Sequence, residues 1–217
     1  MSRKPVRLPG FVLLLGIAAA ALAAPPQKVE IEYDLLYAGA RIGTSKVRME
    51  WSGGSYSIVE QVRGRGAFVL KGDITRTSQG AVAADGLRPR KFEDRRTGKD
   101  TRRVDFDPAA KAYTLKQQDQ LSVVWTFAFA PPAKQVGVSV ADGKRVSEYV
   151  VQPAVRERVK TPAGEFDAFK FVKKRQRPDD KETEVWIAAD RKIPVRILIV
   201  DEDGTRHDQL AAKISAQ

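Results

Sequence analysis

The sequence contains no cysteine and a single histidine, His207. Without cysteine no disulfide can form, so the folded chain depends on apolar burial and hydrogen bonding. Zinc sites are built mainly from cysteine and histidine, which argues against a zinc site here. A nucleophilic triad needs a nearby base, usually histidine, and His207 is expected to pack on an edge strand near the C-terminus. We therefore expect no histidine-based catalysis.

The sequence also lacks an apolar run of the roughly 20 residues that a membrane-spanning helix needs. The longest run, residues 11–22, follows the basic residues Arg3, Lys4 and Arg7 and ends in Ala21-Leu22-Ala23. This arrangement is typical of a secretory signal peptide, here residues 1–23, cleaved near Ala23. The alternative, an uncleaved membrane anchor, is disfavoured by the short run. Because no cysteine follows the run, we expect no lipid anchor.

Signal cleavage predicts a mature chain of residues 24–217, which is long enough for a single β-rich domain with its own core. Loss of three basic residues lowers the formal net charge from +11 to +8. The remaining positive charge bears on partners and solubility rather than on the fold. Export argues against nucleic acid as a partner. The sequence therefore predicts a periplasmic protein with no transmembrane segment after cleavage.

The dominant hydrophobic period of the mature chain is two, which is the period of a β-strand. Glycine-containing turns separate about a dozen short segments of this kind, which predicts an all-β fold. We expect an antiparallel meander that forms a curved sheet, an open barrel or a sandwich. Predicted strands cover 29–37, 41–51, 55–64, 68–78, 88–97, 101–107, 165–174, 182–188, 194–201 and 205–214.

The segment 119–129, DQLSVVWTFAF, departs from this pattern. Its apolar run is too continuous for the period to separate a buried strand from a short helix capped by Asp119. Both alternatives stay open. Pro131-Pro132 ends the segment in either case.

The stretch TPAGEFDAFKF, residues 161–171, combines a turn with a strand. Phe166 and Ala168 alternate with Phe169 and Phe171, so both faces of the strand carry apolar side chains. Lys170 shares the Phe166 face, and its ammonium group has to reach water or a charged partner.

This stretch, together with EVWIAADRKIPVRILI at 184–199 and a glycine turn at Gly204, resembles the C-terminal half of the exported bacterial family known as domain of unknown function 3108. The start IEYDLLYAGARIG at 31–43 and the DGLRP turn at 85–89 are also similar to that family. The resemblance implies an exported, β-rich domain. It implies no established activity, cofactor or catalytic residue.

Two groups of carboxylates are candidates for chemistry. Asp201, Glu202 and Asp203 lie on one turn, but the distal ligands of a calcium loop are missing, so a solvated turn is the expected role. A carboxylate-based hydrolase needs two acids across a cleft. The candidates for that pair are Asp167, Glu182, Glu184 and Asp190. We expect no metal and no cofactor.

The run 88–103 holds eight basic and three acidic residues. A second basic cluster comprises Lys170, Lys173, Lys174, Arg175 and Arg177. Such clusters can bind anionic lipids or glycans, or they can guard sheet edges against aggregation. The candidate anion-binding residues in the first run are Arg88, Arg90, Lys91, Arg95, Arg96, Arg102 and Arg103.

Three functional hypotheses follow. The first is a non-catalytic binding protein of the cell envelope, in which aromatic side chains hold an apolar, lipid or glycan ligand. Its candidate ligand-binding residues are Trp51, Trp186, Phe169 and Phe171, with Trp125 as a further lining residue. The second is a structural or assembly protein that meets another envelope protein through its sheet edges. The third is the carboxylate-based hydrolase. We expect that the protein is not an enzyme and rank the binding protein first.

Overall fold

The structure is a computed structural model that describes residues 25–107, 117–175 and 177–217. The predicted signal peptide lies outside these residues. The sequence Asp107-Pro108-Ala109-Ala110 also predicts a turn, and its last three residues lie outside the described residues. Among the described residues no helix is long and apolar enough to cross a membrane.

Fourteen strands of the described residues form one sheet. The strands are β1 (Lys28–Tyr37), β2 (Ala40–Ser52), β3 (Ser55–Gly64), β4 (Ile74–Ala83), β5 (Gly86–Arg96), β6 (Arg102–Asp105), β7 (Gln118–Asp119), β8 (Val136–Ala141), β9 (Val146–Val151), β10 (Val155–Thr161), β11 (Gly164–Lys173), β12 (Glu182–Ala188), β13 (Ile193–Val200) and β14 (Arg206–Ala216). A 3₁₀ helix covers Gly66–Lys71, and the helix α1 covers Ser122–Phe129.

The strands follow the order β6-β5-β4-β3-β2-β1-β14-β13-β12-β11-β9-β8-β7, and β10 also pairs with β11. All pairings among these strands are antiparallel except β7 with β8. The sheet is curved and, among the described strands, its two ends do not pair, so it is an open curved sheet rather than a closed barrel. The predicted antiparallel all-β fold is confirmed.

The helix α1 lies on the concave side of this sheet, which we call the inner face. The core forms where α1 meets the inner face, and Trp125 and Phe127 of the helix are almost fully buried there. From the strands, Ile31, Met49 and Ile58 supply side chains with no exposed surface. Ile31 and Met49 alternate with charged neighbours along their strands, as the period of two predicts.

Two predictions about local structure were wrong. Residues 68–78 were expected to form one strand, but the 3₁₀ helix ends at Lys71 and β4 begins only at Ile74. Gly66 and Gly72 adopt φ angles of 59° and 73°, which break an extended chain at both ends of the helix. His207 was expected on an edge strand, but β14 pairs with β1 on one side and β13 on the other.

Candidate functional site

A cavity of about 450 Å³ lies between α1 and the inner face. We call it the pocket. Its walls are mostly aliphatic and aromatic, and charged side chains occur near one end. The apolar lining includes Val123, Val124 and Phe127 from the helix and Val138, Val140, Phe171, Val185 and Ile197 from the sheet. Pockets for small molecules in proteins typically measure about 300–1,000 Å³ and have this composition.

A set of buried hydrogen bonds fixes α1 against the start of β5. The amide of Gln118 donates to the carbonyl of Leu87 at 2.9 Å, and Thr126 Oγ1 donates to Gln118 Oε1 at 3.1 Å. Gly86 has a φ of 120°, and a Cβ atom there would lie 2.6 Å from Thr126 Cγ2. A residue with a side chain would therefore push the helix away from the strand. The helix wall of the pocket is fixed by this contact.

Asp119 caps the beginning of α1 with its carboxylate. Its Oδ1 accepts hydrogen bonds from the backbone N–H groups of Leu121 at 2.8 Å and Ser122 at 2.9 Å. Its Oδ2 accepts the hydroxyl hydrogen of Ser78 at 2.6 Å. Because Ser78 donates to Asp119, the Tyr56 hydroxyl 3.0 Å away donates to Ser78. Burial of the carboxyl raises the pKa of Asp119 above its usual value. Of the two alternatives for residues 119–129, the capped helix is the one observed.

Four charged residues form a row across the inner face of β6, β5, β4 and β3. Arg102 is directly opposite Asp94, Asp94 opposite Arg76, and Arg76 opposite Glu60. We call this row the charge ladder. Arg76 contacts Glu60 at 2.6 Å and Asp94 at 3.7 Å, and the two carboxylates are almost completely buried. Directly opposed charges of unlike sign stabilise cross-strand pairing.

Polar groups beside the charge ladder complete this end of the pocket. Ser45 Oγ donates to Glu60 Oε1 at 2.9 Å. Arg96 donates two hydrogen bonds to the Asp94 carboxylate, one from Nε and one from Nη2. The Tyr33 hydroxyl donates to the carbonyl of Pro194 at 2.8 Å. Burial, together with the nearby Glu60 carboxylate, raises the pKa of Tyr33, so its hydroxyl keeps its proton. Glu60, Arg76 and Arg96 all line the pocket.

Lys173 brings a further cation to the pocket lining. Its Nζ lies 4.1 Å from the centre of the Tyr149 ring, and Thr183 lines the pocket beside it. Partial burial of the side chain lowers the pKa of Lys173. An even number of antiparallel pairings separates β5 from β11, so these two strands run in the same direction. Their last residues, Arg96 and Lys173, therefore lie at the same end of the sheet, which we call the cationic mouth.

The aromatic residues singled out from the sequence occupy different places. Phe171 lines the pocket and stacks on Phe127 with ring centres 5.0 Å apart, and Trp125 lines the pocket as well. Trp51 lies elsewhere: its indole N–H donates to the carbonyl of Pro26 at 3.0 Å.

Trp186 and Phe169 also lie outside the pocket lining. The indole N–H of Trp186 donates to Glu157 at 2.6 Å, and the guanidinium carbon of Arg196 is 4.6 Å from the Trp186 ring centre. The Phe169 ring lies beside Lys192 Nζ, 5.2 Å from its centre. Lys170, for which the sequence required a charged partner, meets Glu157 at 3.1 Å.

Strand alternation divides the basic run 88–103 into an inner and an outer group. Arg96 and Arg102 contact Asp94 next to the pocket. On the opposite face, Lys91, Arg95 and Arg103 surround Glu93 at 3.2, 2.6 and 3.2 Å. The five cations thus share two carboxylates.

The two remaining candidates of the basic run are exposed. Arg88 lies 3.5 Å from Asp85. Arg90 accepts a backbone hydrogen bond from Phe106 through its carbonyl. Neither residue is part of the pocket lining.

The carboxylates considered for metal binding or hydrolysis also lie away from the pocket. Asp201 contacts Lys181 and His207, each at 2.8 Å, and Asp167 pairs with Arg156 on the surface. Asp190 lies on an exposed turn. Glu182 and Glu184 are on β12, and of that strand Thr183 and Val185 face the pocket. No two of these candidate acids are placed across the pocket by the described residues.

The sheet edges carry charge where they are open. Among the described strands β10 pairs with β11 alone, and its exposed residues Arg156, Arg158 and Lys160 line that edge. β6, at one end of the sheet order, is only four residues long. Short edges and charged side chains oppose the addition of a further strand.

Glu93 offers a test of the outer group of cations. Hydrogen bonds from Arg95 and then Lys91 lower the pKa of Glu93 from 4.5 to about 2. A lowered pKa means that the carboxylate stabilises the fold above its ordinary pKa and loses this effect as the pH falls toward 2. We expect Glu93→Gln to destabilise the protein at neutral pH, with a difference from wild type that shrinks below about pH 4.5.

Carboxyl-carbon NMR titration of both proteins checks this assignment directly. The wild type should show one glutamate resonance that titrates near pH 2, and Glu93→Gln should lack it. A glutamate set that is unchanged by the substitution would contradict the assignment.

Several residues of the site carried no functional assignment in the sequence. Glu60 follows Tyr56 and Ile58 at every second position of β3. This alternation places the Glu60 side chain on the same, buried face of the strand. Arg76 and Asp94 face it only through the register of β4 and β5. Lys173 was grouped with four other basic residues, and nothing in its spacing set it apart from them.

The comparison with known families bears on the whole of this arrangement. The model of the family described as "Protein of unknown function (DUF3108)" matches residues 32–210, well over half of the chain. The chain belongs to the DUF3108 family. This match confirms the resemblance found in the sequence, and the family description assigns no activity to the DUF3108 chain.

Other comparisons add similarity without function. The solved structure of a protein named as a candidate lipoprotein from Parabacteroides distasonis shares 9% identity with the DUF3108 chain, at a TM-score of 0.43. The match covers 89% of this chain and 100% of that one. No protein with a curated description matches the chain.

Proposed function

We propose that this DUF3108 protein is a non-catalytic binding protein of the bacterial periplasm that holds an apolar or amphipathic small molecule in the pocket. The observation that carries the proposal is the 450 Å³ pocket between α1 and the inner face. Apolar surface of a ligand that is buried in such a pocket contributes about 25 cal/mol per Å² to the free energy of binding. The periplasmic location is proposed from the signal-peptide pattern of residues 1–23.

The rigidity of the walls supports this role. Hydrogen bonds from Gln118 and Thr126 hold α1 on β5, and Asp119 caps the helix. A pocket that is formed before the ligand arrives avoids the entropy cost of ordering its walls on binding.

The chemistry of the lining supports binding rather than catalysis. Among the described residues Glu60 is the carboxylate that lines the pocket, and Arg76 and Ser45 both bond to it. General acid–base catalysis and glycoside hydrolysis need a carboxylate that is free to exchange a proton or attack a substrate. The Glu60 carboxylate is already bonded to Arg76 and Ser45, so it is not free in this way.

Native mass spectrometry of the protein purified from a periplasm, followed by organic extraction, tests the proposal. A co-purifying apolar or amphipathic compound is the expected result. A fluorescent apolar dye then gives the affinity of the emptied pocket. No bound compound combined with no binding of apolar probes would contradict the proposal.

A substitution that fills the pocket tests whether the ligand binds there. Val124 on α1 lines the pocket, and Val124→Trp should weaken dye binding at least tenfold because the indole occupies the ligand volume. The matched control Val146→Trp changes an exposed valine of β9 and should leave affinity unchanged. Thermal unfolding of both variants shows whether the fold persists, since overpacking typically costs about 1–3 kcal/mol. Equal affinities for the two variants would place the ligand elsewhere.

A further inference from the structure

The cations of the pocket lining are not equivalent. Arg76 bonds to Glu60 at 2.6 Å, and Arg96 bonds to Asp94 at 2.8 Å. Lys173 has no carboxylate within salt-bridge distance among the described residues. Lys170, three residues earlier on β11, lies on the opposite face of the strand and pairs with the carboxylate of Glu157 at 3.1 Å. The positive charges of the two arginines are therefore largely matched by protein carboxylates, and that of Lys173 is not.

The protein holds Lys173 in place with an aromatic ring instead. The Tyr149 ring, 4.1 Å from Nζ, attracts the ammonium group through the cation–π interaction and leaves its hydrogen-bond donors available. Three titratable side chains act on Lys173 from a longer range: Asp180 favours its charged form, and Arg145 and Lys181 oppose it. A partly buried ammonium group without an acid partner can form charge-assisted hydrogen bonds with an anion.

The position of this group relative to the apolar walls defines what it can bind. Lys173 and Arg96, both partly exposed, lie at the cationic mouth, whereas Phe127 and Phe171 of the pocket lining are buried. The described lining carries three cations, Arg76, Arg96 and Lys173, and one acid, Glu60. A ligand that satisfies both regions has an apolar chain for the interior and a negative group for the mouth.

We propose that the pocket takes an acyl-chain amphiphile with an anionic head group, carboxylate or phosphate, and that Lys173 binds the head group while the chain lies against α1. This inference rests on the proposed binding function and names the chemical class of its ligand. The carboxylate of a free fatty acid and the phosphate of a lipid present the same charge to Lys173, so the two sources are separated by experiment.

Three single-chain probes with the same dodecyl chain make the comparison: tridecanoate, dodecyl phosphate and the neutral dodecanol, each below its micelle concentration or solubility limit. Wild-type protein should bind at least one of the two anions about tenfold or more tightly than dodecanol, because a hydrogen bond to a charged group is worth about that much. The better of the two anions identifies the head group.

Lys173→Met should remove this preference by weakening the anion about tenfold and leaving dodecanol binding unchanged. Lys173→Arg should keep it. Lys174→Met changes the adjacent exposed lysine, which is not part of the pocket lining, and should behave as wild type.

The outcomes separate the two proposals. If wild type binds none of the three probes, the binding function itself fails. If wild type binds dodecanol as tightly as both anions, or if Lys173→Met weakens anion and alcohol equally, the pocket binds apolar ligands and the head-group assignment is overturned.

Discussion

Replacing Arg76 with methionine is expected to lower the free energy of unfolding by about 3–5 kcal/mol, one of the two largest effects of a single substitution that we predict. Arg76 is the cation between Glu60 and Asp94 in the charge ladder, and its side chain is 19% exposed. Without it, Glu60 keeps the hydroxyl of Ser45 as a partner but loses its ion pair while buried. Urea denaturation followed by tryptophan fluorescence measures the loss.

The control for this prediction is Arg95→Met on the opposite face of β5. Arg95 also bonds to a carboxylate, Glu93, at 2.6 Å, but its side chain is 63% exposed. Glu93 is itself buried, but Lys91 and Arg103 still contact it after the substitution, so this variant should stay close to wild type. Similar losses for the two variants would show that burial of the charge ladder is not what makes Arg76 important.

A double variant separates loss of the ion pair from loss of the arginine side chain. Glu60→Gln removes the buried charge that Arg76→Met leaves unpaired, while the amide oxygen can still accept the hydrogen bond from Ser45. The two substitutions together should cost less than the sum of the single losses, with a coupling of about 1–3 kcal/mol. Strict additivity would mean that Glu60 and Arg76 do not depend on each other.

The sequence predicted the strands better than it predicted the site, and the charge ladder shows why. Each of its members lies on a strand whose existence follows from the period of two. Their contact depends on which residue of one strand faces which residue of the next, and hairpin patterns alone did not set that register. Glu60, in phase with buried neighbours, was the one local signal that a buried cation had to be nearby.

The helix α1 was ambiguous in the sequence for a structural reason. An ordinary surface helix shows an apolar stripe and a polar face, and this contrast produces the helical period. α1 lies in the concave side of the sheet with the pocket on one flank, and none of its eight residues is exposed. Apolar residues therefore occur on all sides of the helix, and the period that would have identified it is lost.

The aromatic residues illustrate a different limit of sequence reasoning. Trp51, Trp186, Phe169 and Phe171 have similar chemistry, and their different contacts come from the tertiary structure: Trp51 packs on Phe129 at the end of α1, outside the pocket lining. Phe171 stacks on Phe127 of the helix and lines the pocket, whereas Trp186 meets Glu157 and Arg196 away from it. The helix comes from a segment more than forty residues earlier in the chain, so no local pattern around residue 171 could indicate this.

Replacing Asp119 with alanine is expected to lower the free energy of unfolding by about 3 kcal/mol and to weaken ligand binding as well. The substitution leaves the N–H groups of Leu121 and Ser122 and the hydroxyl of Ser78 without their buried acceptor. Because α1 forms one wall of the pocket, loosening its first turn also disorders the binding surface. Denaturation and dye-binding measurements on one protein sample check both effects, and a stable variant with full affinity would contradict them.

Asp119→Asn separates the charge of this residue from its hydrogen bonds. Burial raises the pKa of Asp119, so the folded state favours the protonated carboxyl relative to the unfolded state. The contribution of Asp119 to stability is then fully present below its unfolded pKa and decreases as the pH rises through the folded value.

The asparagine side chain has no such dependence. Relative to wild type, Asp119→Asn should therefore become more stable as the pH rises from acid to neutral. A constant stability difference would show that the hydrogen bonds from Ser78, Leu121 and Ser122 balance the cost of burying the charge, and a change in the opposite direction would show that they outweigh it.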